Sequence, residues 1–330
     1  MSAAKLAALV GAHLGQRIPP EVPIGLPSGA ALRLGSQAWV LNDRDNGRSL
    51  GPALAWAARQ GHIDELHLLV GSDAAHLARQ AQAFHPEPRV WRIEGRELIA
   101  ATPEPMAAVA ELQSAVASCA DLFTRAGARA VVEQDMLIAE VEGLEVARAF
   151  VVDDALKDDA LKDDALKVEI GVGRFDREAH QVISAERPTS ETLREVVQLV
   201  RRYRYPGAPP HPLNRLARER FARSMLIDSP DLVGARSLEP MRSMPAPPDL
   251  RTAWPAAAAG VDLQGLPLVV VCSVGVDLDL IPVAAEARHI DGRHGRLLVV
   301  LPRRDLIEVT RLVAGLLVEP AELVALDLAI

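Results

Sequence analysis

The residues best suited to chemistry are acids in the middle of the chain, on or beside segments rich in β-branched side chains. Carboxylates on neighbouring strands can bind a hard divalent cation such as Mg²⁺ or Mn²⁺, and the bound cation can activate water against a phosphate ester. The acids concerned are Glu133, Asp135, Glu140, Glu142, Glu145 and Glu169. The alternative is that these acids form a solvated acidic surface.

Two shorter acidic pairs lie near the ends of the chain. Asp43 and Asp45 occur in NDRDNGRS, directly after a segment that predicts a buried strand, and ligands of open α/β sheets collect at the carboxyl ends of strands. We take both as candidate metal ligands, although the same residues suit a tight turn and a helix cap. Asp277 and Asp279 in GVDLDL lie on one side of an extended segment. They either bind one metal ion together or form the solvent-exposed face of a strand end.

A strip of positive charge covers residues 194–242, which contain ten arginines and five acids, although the whole chain carries a net charge of −8. Tyr203, Tyr205 and His211 are interleaved with these arginines, a pattern that suits phosphate contact or stacking on single-stranded nucleic acid. The candidate ligand-binding residues are Arg201, Arg202, Arg204 and Arg215. The alternative is that the strip docks on acidic segments of the same chain.

Alternating strands and helices are predicted at both ends of the chain. The first third begins with a helix at 3–16 and a loop at 25–35, followed by strands at 38–41, 65–70 and 89–93 and helices at 50–59 and 74–84. The last third has strands at 268–273, 296–301 and 323–326 and helices at 283–289 and 305–317. Such alternation is typical of parallel sheets. The shared order suggests an internal repeat, but too few residues are identical to establish one.

The middle of the chain predicts an α+β unit. Its elements are a long helix at 106–126, strands at 129–134, 136–141, 144–152 and 168–173, and a helix at 189–202. Ten of the 24 prolines then fall between residues 205 and 255, around one helix at 213–226. The fold class is therefore α/β, with an N-terminal lobe (1–104), a central α+β unit (105–205), a Pro/Arg-rich linker (206–255) and a C-terminal lobe (256–330).

The pentapeptide DDALK occurs three times in succession, at residues 153–167, between the two strands of the predicted central hairpin. One copy supplies a loop of normal hairpin length, so two copies are surplus. Leucines spaced by five residues form no helical stripe that could be buried. We interpret the tandem repeat as a tolerated solvated loop, with a charged arm for a partner protein as the alternative.

Residues 105–205, in the order helix, several strands, helix, resemble the core of the PD-(D/E)XK nucleases. The resemblance implies a magnesium site formed by an Asp and a Glu on adjacent strands, with a lysine that helps to activate water. Asp135 matches the first acid, and Glu145-Val146-Ala147 or Glu169-Ile170-Gly171 matches the second motif. The resemblance therefore implies Asp135, Glu145 and Glu169 as candidate catalytic residues. Neither triplet carries the lysine, and the nearby Arg148 cannot release a proton in its place.

Composition limits the class of protein. An acidic pI of about 5.6 argues against a surface coated for nucleic acid or anionic membrane, and no signal peptide or transmembrane segment is predicted. The two cysteines, without metal-ligand spacing, favour a reduced cytoplasmic protein. Our leading hypothesis is a phosphate- or nucleic-acid-handling protein, in its specific form a nuclease-like enzyme dependent on Mg²⁺ or Mn²⁺. The alternative is a non-catalytic interaction or regulatory protein with an acidic surface, and whether the chain is an enzyme stays open.

Overall fold

A computed structural model describes residues 1–43, 47–106, 111–152, 165–174, 176–178, 189–242 and 247–327. Helices alternate with three sheets, which confirms the α/β class. The helices of the described residues are α1 (Ser2–Leu14), α2 (Leu50–Ala57), α3 (Ala74–Ala81), α4 (Ser114–Ala117), α5 (Ala120–Ala126), α6 (Thr189–Tyr203), α7 (Arg218–Asp228), α8 (Leu280–Asp291) and α9 (Glu308–Ala314).

Fifteen strands are described. They are β1 (Ile24–Leu26), β2 (Gly29–Leu34), β3 (Gln37–Asn42), β4 (Glu65–Val70), β5 (Arg89–Glu94), β6 (Glu97–Ala100), β7 (Arg129–Glu133), β8 (Met136–Val141), β9 (Leu144–Val152), β10 (Ala165–Ile170), β11 (Ala235–Pro240), β12 (Ala256–Asp262), β13 (Pro267–Cys272), β14 (Arg296–Pro302) and β15 (Glu322–Leu326). Contacts divide the chain into unit 1 (Met1–Ala107, Val276–Gly292 and Arg304–Leu323) and unit 2 (Ala108–Gly275, Arg293–Arg303 and Val324–Ile330).

Unit 1 contains a six-stranded sheet in the order β1 to β6. Strands β3, β4 and β5 are parallel, as predicted, whereas the strands on either side pair antiparallel. The prediction of a loop at 25–35 is wrong, because this glycine-rich segment forms β1 and β2. Gly29 permits the close approach of β2 to β3, since a Cβ there would lie 1.9 Å from the Leu41 carbonyl oxygen. Helix α1 covers the sheet with Leu6, Leu9 and Val10.

Helices α2, α3, α8 and α9 pack against one another within unit 1. The segments after α3 and α9 join in a short antiparallel bridge between Phe84 and Leu317. Two backbone hydrogen bonds close this bridge, from the N–H of His85 to the carbonyl of Leu316 at 2.8 Å and from the N–H of Val318 to the carbonyl of Ala83 at 2.9 Å. The matching positions of Phe84 and Leu317 point to an internal repeat.

The order β3–α2–β4–α3–β5 returns as β13–α8–β14–α9–β15. We call residues 37–94 the first module and residues 267–326 the second module. Helices α2 and α8 both begin with Leu-x-Pro, at Leu50 and Leu280, and Phe84 and Leu317 each precede the next strand by five residues. The same element order and spacing support the internal repeat that sequence identity alone does not establish.

Unit 2 contains a four-stranded antiparallel sheet in the order β10-β9-β8-β7. Phe123 of α5 and Val197 of α6 are buried in the core of this sheet. The predicted central hairpin is confirmed, although its second strand covers 165–170 and not 168–173. The predicted helix at 106–126 is wrong in extent, since the described part is broken between α4 and α5. Ser118 lies at the break, where its hydroxyl donates to the carbonyl of Ala115 at 2.6 Å, and such side-chain bonds compete with helix continuation.

Strand β10 begins at Ala165, inside the third DDALK copy, and Ala165 pairs with Val152. The twelve residues between them, 153–164, lie outside the described residues. The third copy therefore contributes its last three residues, Ala165 to Lys167, to the sheet.

Unit 2 also contains most of a second sheet, in the order β11 to β15, with β13 and β14 parallel. Strands β11 and β12 were not predicted, because β12 starts with an alanine run of low β propensity. Gly260 allows β11 to pack closely against β12, since a Cβ there would lie 1.9 Å from the Ser237 carbonyl oxygen. The stretch 206–255 thus supplies β11 in addition to a helix, and that helix starts at Arg218, after left-handed Ala217.

Candidate functional site

The three candidate catalytic acids do not converge. Asp135 is exposed in the turn between β7 and β8, whereas Glu145 pairs with Glu140 near the other end of β8. Glu140 lies four residues after Met136, a distance of about 13 Å along a strand. The structure therefore places Asp135 at the opposite end of the sheet from Glu145.

Glu145 and Glu169 are brought together, but as counter-ions of arginines. Arg177 Nη1 lies 2.9 Å from Glu145 Oε1, and Arg177 Nε lies 3.6 Å from Glu169 Oε2. Arg148 Nη2 is 2.7 Å from the same oxygen of Glu145. Lys167 Nζ approaches Glu169 Oε1 to 3.1 Å, a contact that the sequence analysis missed. These carboxylates are already neutralised by basic side chains of the same unit.

A buried ion-pair cluster links α7 to the central sheet. Arg220 Nη2 lies 2.8 Å from Glu133 Oε1, and Arg223 Nη2 lies 2.7 Å from Glu140 Oε2. All four side chains are buried. Burial alone would raise the pKa of Glu140, but Arg223 and Arg220 lower it overall. For this part of the arginine strip, docking on the chain's own acids is therefore confirmed.

Arg204 cannot bind a ligand, and its assignment as a ligand-binding residue is wrong. Its side chain is fully buried against Phe221, and burial lowers its pKa to about 10. The guanidinium donates to four backbone carbonyls, those of Glu142, Leu213, Leu216 and Ala217. It is a structural clamp between α6 and the segment that leads into α7.

The other three candidate arginines of the strip are exposed. Arg201 donates to the carbonyl of Gly127 at 2.6 Å, while Arg202 and Arg215 lie on the surface. Beside them the rings of Tyr203 and His211 stack at 4.1 Å between centroids. These exposed arginines are accessible to a ligand. Arg220 and Arg223 of the same strip face inward, toward the acids of the central sheet.

Of the candidate metal ligands, Asp43 is described and Asp45 lies outside the described residues. Asp43 Oδ1 pairs with Lys5 Nζ at 2.8 Å. Burial raises its pKa, but the hydrogen bonds from Lys5 and Ser2 outweigh burial and lower it. Within the part of the chain that the structure describes, no group of three His, Cys, Asp or Glu side chains could hold a metal ion.

The second acidic pair, Asp277 and Asp279, makes contacts that hold two helix starts together. Asp277 pairs with Arg48, and Asp279 accepts a hydrogen bond from the N–H of Gly51 at 2.9 Å. Asp279 is buried at the start of α8, and burial raises its pKa to about 6. The pair therefore ties the start of α8 to the start of α2.

A cleft of about 700 Å³ opens in unit 1, beside the first turn of α3. Helix α3 directly follows β4, so the cleft lies toward the carboxyl end of a parallel strand, where ligands of α/β sheets bind. Strand β4 ends at Val70 and is followed by Gly71-Ser72-Asp73, where Asp73 turns the chain in a left-handed conformation with φ of 56°. The lining residues are Asp73, Ala74, Ala75, His76, Arg92, Ile99, Ala100, Ala101, Thr102 and Glu104.

Behind the cleft lies a polar network centred on Arg79. Its Nη1 is 2.7 Å from Glu104 Oε1, and its Nη2 is 2.6 Å from Glu286 Oε1 and 2.8 Å from His76 Nδ1. The Nε2 of Gln80 donates to the other oxygen of Glu286 at 2.7 Å. Burial lowers the pKa of Arg79, but the two carboxylates more than compensate and raise it. A permanent cation thus lies behind the cleft, held by buried and half-buried acids.

This network was not predicted from the sequence. AAHLARQ has the composition of an ordinary helix, and Glu286 lies about 200 residues away on α8. The sequence carries one signal, which is that polar residues occupy a face of α3 that the fold buries. Gln80 on this face is only 7% exposed. The cleft offers donors from His76, Arg92 and Thr102 and carboxylates from Asp73 and Glu104.

No family model, no curated protein and no solved structure matches the chain. Among the described helices, none has the length and apolar character needed to cross a membrane.

Proposed function

We propose that the protein binds a small phosphate-bearing molecule in the cleft beside α3. The observation that carries this proposal is the convergence of three donors, His76, Arg92 and Thr102, on a cavity at the carboxyl end of a parallel strand. Phosphate oxygens accept several hydrogen bonds at once, and arginine matches them well. Backbone N–H groups in the first turn of α3 add to the positive side of the cleft.

The acids at the cleft are compatible with an anionic ligand. The charge of Glu104 is balanced by Arg79. Asp73 accepts a hydrogen bond from the Ser72 hydroxyl at 3.0 Å. Arg92 forms an ion pair with Glu94 at 2.5 Å, but both side chains are half exposed, so the pair contributes little and exchanges readily. A volume of about 700 Å³ suits a molecule the size of a nucleotide or sugar phosphate.

A metal-dependent nuclease gains no support from the arrangement of the described acids. Asp135 lies away from Glu145, and Glu145 is paired with two arginines. The arginines of α7 that would help to hold a polyanion bind Glu133 and Glu140 instead. These contacts favour a binding protein for small phosphate compounds over an enzyme acting on nucleic acid.

The proposal is tested by thermal unfolding with inorganic phosphate, nucleoside phosphates, sugar phosphates and a single-stranded oligonucleotide. A ligand that binds only the folded state raises the melting temperature by mass action. We expect a small phosphate compound to do so, and expect Arg92→Ala and His76→Ala to abolish the shift. Arg96→Ala removes an exposed arginine from the turn between β5 and β6, outside the cleft lining, and is the matched control.

Two results would contradict the proposal. One is a shift that survives both cleft variants, since binding would then lie elsewhere. The other is a response to the oligonucleotide alone, lost in Arg202→Ala and Arg215→Ala, which would assign function to the exposed part of the arginine strip.

A further inference from the structure

We infer that Arg79 is a positioning residue that fixes His76 as a hydrogen-bond donor to the ligand, so that the ligand must present an acceptor oxygen there. The inference rests on the proposed function and specifies the chemistry of its site. It follows from the direction of one hydrogen bond and from a comparison that the chain provides within itself.

A guanidinium only donates hydrogen bonds. Arg79 Nη2 lies 2.8 Å from His76 Nδ1, so this ring nitrogen must be the acceptor and the proton of the neutral ring must be on Nε2. Glu104 and Glu286 oxygens are 3.4 Å and 3.7 Å from the same nitrogen, both longer than the arginine contact. A proton on Nδ1 would face the N–H of Arg79 at 2.8 Å, which is repulsive.

The orientation of Arg79 is itself over-determined. Its two terminal nitrogens each have a carboxylate partner, Glu104 on one side and Glu286 on the other. Glu286 is only 7% exposed and is also held by Gln80. The guanidinium therefore cannot rotate away from His76 without leaving a buried carboxylate unpaired, which is costly.

The second module has other residue types at the positions equivalent to this network. With Phe84 matched to Leu317, the positions of His76, Arg79 and Gln80 in α3 correspond to Val309, Leu312 and Val313 in α9. With Leu50 matched to Leu280, Glu286 in α8 corresponds to Trp56 in α2. Each of these four residues therefore has an apolar counterpart in the other module, whereas Glu104 lies outside the repeated segment.

Val309 and Val313 are buried, so apolar side chains satisfy the packing at the positions equivalent to His76 and Gln80, whereas Leu312, the counterpart of Arg79, is 36% exposed. A buried ion pair replaced by well-packed apolar groups is often neutral or stabilising, so stability does not explain why the first module keeps its charges. A role toward the adjoining cleft does, because His76 belongs both to the network and to the cleft lining.

The consequence for the ligand is specific. A histidine with its proton on Nε2 cannot act as a base through that nitrogen, and it cannot bind a metal through it without losing the proton. It donates one hydrogen bond into the cleft, next to the donors Arg92 and Thr102. An oxygen of a phosphoryl group meets these requirements, whereas an amine or a metal cation does not.

The test is ¹⁵N NMR of the histidine rings in the ligand-free full chain, with the resonances of His76 assigned by their loss in His76→Asn. We expect the shifts of the Nε2–H tautomer in the wild type. Arg79→Leu, the counterpart residue, should release His76 into a mixture of tautomers and weaken phosphate-compound binding at least tenfold. Gln80→Val, also the counterpart residue, removes the other partner of Glu286 and should leave the His76 tautomer unchanged.

The outcomes separate the two proposals. A wild-type His76 with its proton on Nδ1, or the same tautomer in Arg79→Leu as in the wild type, overturns the inference without affecting the phosphate-binding result. Conversely, the expected tautomers combined with no response to any phosphate compound refute the proposed function, and with it the ligand chemistry inferred here. The wild-type spectrum decides the first point even if Arg79→Leu fails to fold.

Discussion

Two buried groups of unit 1 should give the protein opposing responses to acid. His67 is 2% exposed, stacks on Trp39 at 3.7 Å between ring centroids, and accepts a hydrogen bond at Nδ1 from Trp91 Nε1 at 3.1 Å. Burial lowers its pKa from 6.5 to about 4, although Glu65, 3.3 Å from Nε2, acts in the other direction. The folded protein therefore keeps His67 neutral at mildly acidic pH.

The sign of the His67 effect follows from linkage. Between pH 6.5 and about 4 the unfolded state binds the proton and the folded state does not, so the free energy of unfolding falls as the pH is lowered through this window. A shift of this size corresponds to about 3 kcal/mol when the window has been fully crossed. Above pH 6.5 the contribution is constant.

Asp279 has the opposite sign. Burial raises its pKa from 3.8 to about 6, while the N–H of Gly51 and the charge of Arg48 limit the rise. Between about pH 6 and 3.8 the folded state holds the proton and the unfolded state does not, so the free energy of unfolding rises as the pH is lowered. This contribution is again about 3 kcal/mol. In the wild type the two terms overlap and largely cancel.

Substitution should separate the two terms. We would measure urea unfolding of the wild type, His67→Gln and Asp279→Asn at intervals from pH 7.5 to 4.5. Asp279→Asn retains an oxygen acceptor for Gly51 but no charge, so it should lose stability on acidification relative to the wild type. His67→Gln should gain stability relative to the wild type over the same range. All other titrating groups are shared and drop out of the differences.

Parallel pH profiles for the three proteins would refute this reasoning. A reversal in sign of the two differences from the wild type would also refute it. A buried base resists protonation and a buried acid resists ionisation, so the type of group fixes the sign of its effect. Tryptophan fluorescence gives a local check, because protonation of His67 must break its hydrogen bond from Trp91.

Two further predictions concern unit 2. Deletion of residues 158–167 should let the remaining Ala-Leu-Lys take the place of 165–167 in β10, with two aspartates as the loop. Because the shorter loop costs less entropy to close, the free energy of unfolding should rise by about 1 kcal/mol. Urea unfolding measures this change, and loss of the fold would contradict the prediction. Glu140→Ala should cost about 3–5 kcal/mol because it leaves Arg223 buried without its partner. Glu178→Ala, which removes an exposed pair with Arg174, should cost less than about 1 kcal/mol, and equal effects would contradict the ranking.

The sequence predicts the buried parallel strands well. The bounds of β4 are correct to the residue, because ELHLLV is a short apolar run between turn signals, and β14 is correct to within one residue at its end. Strands β2 and β12 are missed because glycine and alanine carry little strand propensity of their own. Pairing with β3 holds β2 in the strand conformation, and pairing with β13 holds β12. The residues of β2 and β12 do not by themselves indicate these pairings.

Charged residues show a different limit of prediction from sequence. The sequence identifies an arginine strip but cannot say toward what each guanidinium points, because an acid on the same chain and a phosphate of a ligand offer it the same geometry. Arg204 proves to be a clamp on backbone carbonyls, and Arg220 a partner of Glu133. Long-range pairing, not residue type, decides between these roles.

The internal repeat supplies the information that single residues lack. The two modules share one order of elements, so a position that is apolar and buried in α9 shows which side chain such a helix accepts at the equivalent position in α3. Where α3 departs from such a buried apolar position, as His76 does against Val309 and Gln80 against Val313, the departure has to be explained by something other than the fold. The departures of His76, Arg79, Gln80 and Glu286 form one connected hydrogen-bonded group at one cleft. Independent drift would scatter polar substitutions over the helix layer, whereas selection for a ligand would collect them where the ligand lies.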